Sequence, residues 1–180
     1  MMTMNKKTLL ISVISLLSLT LFGCGSVYTD AKEYQDYIDK IPKADIYMPD
    51  LTTLPEYQSI NVYYYERLGQ SINLIITYSA ESYESARDTI FGSYVYLEEP
   101  LTEIDFYRIP EVEFEYQSFT IKVVSDDDFD YPEQFGMLGY SDSSYQITFL
   151  FFYDLSLDRL SDSPGRMTRF IESEFFFPKD

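Results

Sequence analysis

The chain has 180 residues, one cysteine, no histidine and a formal net charge of −17 at pH 7. A surface this acidic repels nucleic acid and anionic lipid headgroups, which excludes a nucleic-acid-binding protein. Without histidine the chain lacks the commonest general base and metal ligand, and its single cysteine can form no internal disulfide. Aromatic residues make up 18% of the chain, far more than a disordered segment carries, so the composition predicts a folded domain stabilised by packing.

The first predicted element is an uncharged segment. Lys6 and Lys7 form a short positive head, and residues 8–22 then run without a charge and are rich in Leu, Ile and Val. Such a block has the length of the apolar part of a secretory signal. It is short for a membrane-spanning helix, which needs about 20 apolar residues. The segment therefore predicts an exported protein from which residues 1–23 are removed.

The segment Leu21-Phe22-Gly23-Cys24 closes this uncharged block. It resembles the lipobox of bacterial lipoprotein precursors, in which an apolar residue stands three positions before the cysteine and a small residue directly precedes it. The resemblance implies cleavage between Gly23 and Cys24 and a diacylglyceryl thioether on Cys24, with fatty acids such as palmitate. The alternative is an ordinary signal peptide followed by an incidental cysteine, and a lone exported thiol without a partner favours lipidation.

Two acyl chains hold a protein stably at a membrane, whereas one chain binds only marginally. We therefore expect a domain in the cell envelope, anchored to the extracytoplasmic face of the cell membrane through the lipid on Cys24. Gly25 follows the cysteine. In a cell with two membranes, this residue permits transfer to the outer one, so the identity of the membrane stays open.

Residues 24–31 are interpreted as the lipidated cysteine and its tether, and residues 32–180 as one extracytoplasmic domain. Asp30 is a typical helix N-cap, with Glu33 three positions later as in a capping box. Apolar residues then recur at helical spacing until Pro42 ends the helix. These residues are Tyr34, Tyr37, Ile38 and Ile41.

The next segment, residues 44–57, contains two prolines and is predicted to be irregular. Two alternating segments, 60–64 and 72–76, are typical of strands, and Gly69-Gln70 between them favours a hairpin turn. Ser79 is expected to cap a second helix that ends at residues 98–100. The inner face of this helix is expected to contain Tyr83, Ala86, Ile90 and Tyr94.

The second half of the chain is predicted to be mostly strand. Residues 104–108 and 112–116 flank Pro110, which places the first of these strands at a sheet edge. The alternation of Phe119, Ile121 and Val123 is shifted by one position from the preceding strand, which indicates a turn at Gln117-Ser118.

Residues 135–140 and 145–153 are predicted to form a hairpin. Apolar residues occur on both faces of the second strand, which is typical of a central strand. Ser163-Pro164 then begins a last helix with Met167, Phe170, Ile171 and Phe175 inward. Together, the elements predict a single α+β domain with a mostly antiparallel twisted sheet of about five or six strands and helices packed on one face.

The densest acidic run covers residues 126–130. Asp126, Asp128 and Asp130 match the first three ligand positions of an EF-hand calcium loop. Tyr131 then stands where the sharp turn of such a loop needs glycine, and Met137 stands where a bidentate glutamate is needed. A solvated loop is therefore favoured, and a calcium-stabilised structural module is kept as an alternative.

Tyr63, Tyr64 and Tyr65 form the densest aromatic cluster. On a strand, Tyr63 and Tyr65 share one face and Tyr64 takes the other. Tyrosine combines an apolar ring with a polar tip, which suits a binding surface. The favoured interpretation is that these rings fill the layers between the sheet and the helices, and an open binding face is the alternative.

The sequence gives little support for catalysis. Without histidine there is no Ser-His-Asp arrangement, and no glycine-rich phosphate-binding loop is present. Close acidic pairs such as Glu113 with Glu115, or Glu103 with Asp105, would suit a glycosidase. Thirty acidic residues make close pairs inevitable, so we expect no enzyme, no cofactor and no metal site. A carboxylate-dependent hydrolase of envelope polymers is kept as an alternative.

Two further segments carry a resemblance. Met48-Pro49-Asp50-Leu51 precedes the first hairpin, and residues 151–158 close the last strand. This pattern resembles small uncharacterised lipoproteins of Gram-positive bacteria, and the resemblance implies no activity. The sequence thus predicts a membrane-anchored module that binds a protein or small-molecule ligand. Its acidity favours a basic or cationic partner.

Overall fold

The structure is a computed structural model that describes most of the predicted domain. It covers residues 26–66, 69–103, 106–157, 160 and 166–178. The predicted signal segment, Cys24, Asp105 and the helix start at Ser163-Pro164 lie outside the described residues.

The described residues contain four α-helices. They are α1 (Tyr34–Lys40), α2 (Ala44–Tyr47), α3 (Tyr83–Phe91) and α4 (Arg166–Glu174). A short 3-10 turn, Ala31–Glu33, leads into α1. Asp30 caps this turn as predicted, because its carboxylate accepts a hydrogen bond from the Lys32 amide at 2.9 Å. Glu33 accepts a hydrogen bond from the Tyr37 hydroxyl at 3.1 Å.

The strands form one large and one small sheet. The large sheet contains β1 (Ser26–Tyr28), β2 (Ser59–Glu66), β3 (Gln70–Thr77), β6 (Glu113–Tyr116), β7 (Phe119–Val123), β8 (Gln134–Ser141) and β9 (Gln146–Tyr153). The small sheet contains β4 (Leu101–Glu103) and β5 (Phe106–Ile109).

The seven strands of the large sheet have the order β1-β2-β3-β9-β8-β7-β6, and every recorded neighbouring pair is antiparallel. The predicted α+β domain with an antiparallel sheet is confirmed. β9 lies in the middle of the sheet, as its apolar residues on both faces indicated. The segment that was interpreted as a tether contains the three-residue strand β1. In this strand Ser26 pairs with Glu66 and Tyr28 pairs with Tyr64, so these residues belong to the sheet.

Successive side chains of a strand point to opposite faces of its sheet. Face A is the face that carries Ile72 and Leu74 of β3, and face B carries Ser71 and Asn73. The sheet register places Phe151 of β9 on face A, beside Ile72. Both faces are buried over the central strands, so each requires its own cover.

Two helices near the amino terminus cover part of face A. Tyr37 of α1 stacks on Tyr64 of β2, with ring centroids 5.4 Å apart. Tyr47 of α2 stacks on Phe151, with ring centroids 6.0 Å apart. A β-carbon at Gly136 would lie 2.9 Å from the Tyr47 ring, so the close approach of α2 to β8 requires glycine at this position.

The third helix covers the part of face A near the β8–β9 turn. Phe91 of α3 meets Tyr140 of β8 edge to face, with ring centroids 5.3 Å apart. Arg87 of α3 forms an ion pair with Asp142 at 2.9 Å. The predicted inward residues Tyr83, Ala86 and Ile90 are all buried in α3.

Face B is covered by α4 and by the C-terminal segment, residues 175–178, which follows it. The Phe170 ring of α4 lies 4.8 Å from Phe152 and 5.5 Å from Phe135, both on face B. Phe175 extends this cluster, since its ring centroid lies 6.4 Å from that of Phe152.

A buried polar network also holds the C-terminal segment on face B. Asn73 donates to the backbone oxygen of Phe176 at 3.0 Å, and its own side-chain oxygen accepts from Thr148 at 2.6 Å. Ser71 donates to the backbone oxygen of Glu174. Asn73 and Thr148 are both fully buried, so this network satisfies polar atoms that would otherwise be costly to bury.

The expectation that all helices pack on one face is wrong. Three helices lie on face A, whereas α4 lies on face B. The apolar spacing of α4 identifies its inward stripe, but that stripe matches either face of a sheet whose central strands are apolar on both sides. The segment 44–57 also contains α2, a single helical turn in a stretch that was expected to be irregular.

Candidate functional site

The acidic run lies in the loop between β7 and β8. Asp126 accepts a hydrogen bond from the Asp128 amide at 2.9 Å, and Phe129 is only 7% exposed. The Lys43 ammonium donates to the Asp128 backbone oxygen at 2.9 Å and to Asp130 at 3.1 Å. Within the described ranges, no three acidic side chains converge on a site that would hold a metal ion. Lys43 thus supplies a positive charge beside this loop, and the calcium-stabilised module stays an untested alternative.

The tyrosine cluster of β2 is divided between the two faces of the sheet. Tyr64 is 2% exposed on face A, where it stacks on α1. Tyr63 lies on face B, with its ring centroid 5.1 Å from that of Phe176, and Tyr65 is half-buried on the same face. These rings therefore contribute to packing, as the favoured interpretation predicted, and the C-terminal segment covers the surface beside Tyr63.

The acidic pair on β6 has local partners. Glu113 forms an ion pair with Lys122 at 3.0 Å, and Glu115 accepts a hydrogen bond from Thr120 at 2.7 Å. Both partners lie on the neighbouring strand β7, directly across the ladder. The two carboxylates are thus part of a cross-strand surface network.

The second acidic pair is only half described. Glu103 forms an ion pair with Arg108 at 3.1 Å across the small sheet, and both side chains are about half exposed. Asp105 lies outside the described residues. Neither acidic pair suggested by sequence lines one of the cavities described below.

A cavity of about 420 Å³ lies at the end of the sheet where β2 begins and β3 ends. Two carboxylates, Glu56 and Glu81, contribute to its wall, and no described Lys or Arg side chain forms an ion pair with either. This acidic cavity is the candidate functional site. Its lining residues are Glu56, Tyr57, Gln58, Ser79, Glu81 and Ser82.

Two local hydrogen-bonding patterns shape the acidic cavity. The Gln58 amide donates to the Thr77 backbone oxygen at 2.8 Å, which fixes the start of β2 beside the end of β3. The Ser79 side chain accepts a hydrogen bond from the Ser82 amide at 3.1 Å, and the Tyr83 amide bonds the Ser79 backbone oxygen at 3.0 Å. The turn into α3 therefore holds one wall of the cavity in a defined position.

Tyr78, which directly precedes Ser79 of the cavity wall, has a buried hydroxyl. Tyr78 is 1% exposed, and its hydroxyl has no hydrogen-bond partner among the described residues. Burial, together with the nearby Tyr57, raises the pKa of Tyr78 to about 12. The phenol therefore stays neutral at physiological pH, and Tyr78 adds no charge beside the cavity.

A second cavity has a volume of about 310 Å³ and is lined mainly by residues from the segments 49–55 and 89–94. It lies between the irregular segment that follows α2 and the end of α3, over Phe149 of face A. Pro55 lines this cavity and the next residue, Glu56, lines the acidic one, so the two are neighbours. Its other lining residues are Pro49, Thr53, Leu54, Thr89, Ile90, Ser93 and Tyr94.

The sequence pattern did not identify the acidic cavity. Glu56 and Glu81 are separated by the whole β2–β3 hairpin, so no local spacing joins them. Glu56 lies shortly before the first predicted strand of the hairpin, and Glu81 lies shortly after the second. Because the outer ends of a hairpin meet in space, these positions were the sequence signal for the cavity. The dense run at 126–130 has the stronger sequence signal, but Lys43 bonds its Asp128 backbone oxygen and its Asp130 carboxylate.

Comparison with known proteins gives no functional assignment. No family model matches the chain, and no curated protein or solved structure matches it. The lipid attachment at Cys24 stays a prediction, since this residue lies outside the described ones. Along the described ranges, none of the helices has both the length and the apolar character required to cross a bilayer.

Proposed function

We propose that this protein is a lipoprotein anchored through Cys24 to the extracytoplasmic face of the cell membrane, where it acts by binding. The ligand is a cationic group, an amine or a guanidinium, on a peptide or a small molecule. The resemblance of residues 21–24 to a lipobox supports the anchor, and the acidic cavity is the single observation that carries the choice of a cationic ligand. It has the volume of a ligand site and presents two carboxylates that have no described positive partner.

The electrostatics of the whole chain support the choice of a cation. A net charge of −17 attracts positive ligands over distances comparable to the Debye length, and the cavity adds fixed carboxylates at the point of contact. A hydrogen bond between a charged donor and a carboxylate is shorter and stronger than one between neutral groups. The neighbouring cavity, with Leu54 and Tyr94, supplies apolar surface for the remainder of such a ligand.

Titration calorimetry with pentalysine and penta-arginine peptides tests the ligand class, and pentaglutamate is the control peptide. The double variant Glu56→Gln, Glu81→Gln should weaken binding of the basic peptides by about threefold or more, since both carboxylates are exposed and an exposed ion pair contributes about 0.2–1 kcal/mol. The double variant Glu98→Gln, Glu99→Gln is the matched control, because both side chains are exposed and outside the cavity. Equal losses in the two variants would show that only net charge matters and would contradict the site.

Mass spectrometry of the native protein tests the anchor separately. The expected amino terminus is Cys24 with a diacylglyceryl mass, and the Cys24→Ser variant should appear in the soluble fraction. An intact amino terminus, or a free thiol at Cys24, would contradict the anchor and leave the binding site to be judged by calorimetry alone.

A further inference from the structure

The position of β1 constrains how the domain meets a membrane. β1 pairs with β2 in an antiparallel register in which Ser26 lies beside Glu66, the last residue of β2. We call the end of the sheet that contains Glu66 the proximal end. The opposite end, where β2 begins at Ser59 and β3 ends at Thr77, is the distal end.

An aromatic cluster holds β1 on the domain in addition to the backbone ladder. The Tyr28 ring lies 5.7 Å from Tyr64 and 6.4 Å from Tyr37. The Lys40 ammonium lies 5.2–5.9 Å from the centroids of all three rings. Such cation–π contacts are favourable within about 6 Å of the centroid. Ser26–Tyr28 is therefore part of the folded domain and does not act as a free linker.

Only Gly25 separates Cys24 from the first residue of β1. Two residue steps span at most about 7 Å, because an extended chain covers 3.3–3.6 Å per residue. Chain direction adds a second constraint. β1 runs from Ser26 toward Tyr28, away from the proximal end, so the backbone nitrogen of Ser26, to which Gly25 is bonded, lies at that end.

The charge of the proximal end does not by itself set this orientation. Lys40 lies there, but so does the acidic loop 126–130, which joins the end of β7 to the start of β8. An anionic lipid surface attracts the first and repels the second. The short covalent connection is therefore the dominant constraint, and repulsion between the net negative charge of the domain and anionic lipids opposes a position in which the domain lies flat.

We propose that the proximal end of the sheet contacts the lipid headgroups and that the distal end is held about 25 Å from them, which is the length of an eight-residue strand. This inference rests on the proposed lipid at Cys24. It deepens the proposed function, because Glu56 and Ser79 lie directly outside the strand ends Ser59 and Thr77. The acidic cavity thus lies at the distal end, where it meets cationic ligands that arrive from outside the cell.

Single-cysteine labelling tests this orientation. Cys24 is the only cysteine, and a thioether at its sulfur would leave an introduced cysteine as the only reactive thiol. Leu155, 67% exposed directly after β9, marks the proximal end, and Ser143, exposed in the β8–β9 turn, marks the distal end. The lipidated variants Leu155→Cys and Ser143→Cys are labelled with a fluorescent maleimide. They are then reconstituted in phosphatidylglycerol and phosphatidylethanolamine vesicles that contain a headgroup-linked quencher.

The label at residue 155 should be quenched at least about twofold more than the label at residue 143, given a separation of about 25 Å along the strands. Insertion of eight Gly and Ser residues between Gly25 and Ser26 should abolish most of this difference, because the longer linker frees the domain. Equal quenching of both labels in the chain without the insertion would overturn the orientation. So would a lack of quenching at both positions.

Flotation of the vesicles separates this proposal from the one on which it rests. Protein that does not float with the vesicles has no working anchor, which overturns both the anchor and the orientation. Protein that floats but shows equal quenching at the two positions retains the anchor and overturns the orientation alone.

Discussion

Both faces of the central sheet pack against aromatic rings, and on face B polar side chains of the sheet also bond the backbone of the cover. On face A, three helices contribute rings such as Tyr37 and Tyr47, which stack on rings of the sheet. On face B, one helix covers part of the surface, and the C-terminal segment is fixed by Asn73 and Ser71, which bond its backbone oxygens. Aromatic packing tolerates small shifts, whereas buried polar groups must meet their partners directly, so face B specifies its cover more strictly.

The largest expected effects test whether both faces are true core. Phe151 lies on face A and Phe152 on face B, and each is at most 1% exposed. Phe151→Ala and Phe152→Ala should each lower the free energy of unfolding by about 3–5 kcal/mol, as is typical for buried phenylalanine. Chemical denaturation measures both. A loss below about 1 kcal/mol at Phe152 would mean that the cover of face B is not packed as described.

The buried network on face B is expected to have the next largest effect. Asn73→Ala leaves the Thr148 hydroxyl and the Phe176 backbone oxygen without partners, which should cost about 1–3 kcal/mol. Asn61→Ala, on the same face but exposed, is the matched control and should change stability by about 0.5 kcal/mol or less. Similar losses for the two variants, measured in urea, would contradict a specific role for Asn73.

High pH tests the buried Tyr78, which directly follows β3. Burial raises the pKa of Tyr78 to about 12, so the folded protein holds this proton more tightly than the unfolded chain, whose tyrosines titrate near 10. The stabilisation is fully present below pH 10 and is lost as the pH rises toward 12, because the unfolded state then binds fewer protons.

We therefore expect the melting temperature to fall steeply above pH 10, and Tyr78→Phe should make this fall shallower. At pH 7 the same variant should change the unfolding free energy by about 1 kcal/mol or less, since the hydroxyl has no partner among the described residues. Tyr145→Phe, at an exposed site, is the control for ring substitution. If the melting temperature of Tyr78→Phe falls with pH as steeply as that of the original protein, Tyr78 does not cause the loss of stability at high pH.

The smallest expected effect concerns the acidic loop beside face A. Lys43 and Asp130 form an ion pair at 3.1 Å with both side chains exposed, so Lys43→Met should cost about 0.2–1 kcal/mol. Thermal melting with millimolar calcium and with chelator, on the original protein and on this variant, also tests the calcium alternative. A calcium-dependent rise in melting temperature would show that the folded loop binds the ion.

The elements with strong periodicity are the ones that the sequence predicts correctly. The β2–β3 and β8–β9 hairpins, the central position of β9 and the buried residues of α3 and α4 all follow from alternating or helical patterns over eight or nine residues. β1 was not identified, because Ser26–Tyr28 is too short to show a pattern. Its strand character comes from pairing with β2, which the local sequence does not encode.

The candidate site was not predictable for a related reason. Glu56 and Glu81 line one cavity only after the hairpin has formed. In the dense run at 126–130, by contrast, Lys43 bonds the Asp128 backbone oxygen and the Asp130 carboxylate. Density of charge along a sequence is therefore a poor guide to unpaired charge in a fold. On face B, Ser71 and Asn73 bond the backbone oxygens of Glu174 and Phe176, and a backbone acceptor carries no sequence signature that would place α4 on this face.

The cover of face B also sets the order in which this protein can fold. The Asn73–Thr148 contact joins residues 75 positions apart, and Phe176 comes later still in the chain. The core on that face therefore stays incomplete until residues 166–178 have been synthesised, and non-local pairing of this kind slows folding. For an exported protein, this delay would keep the emerging chain extended and threadable through a translocation channel.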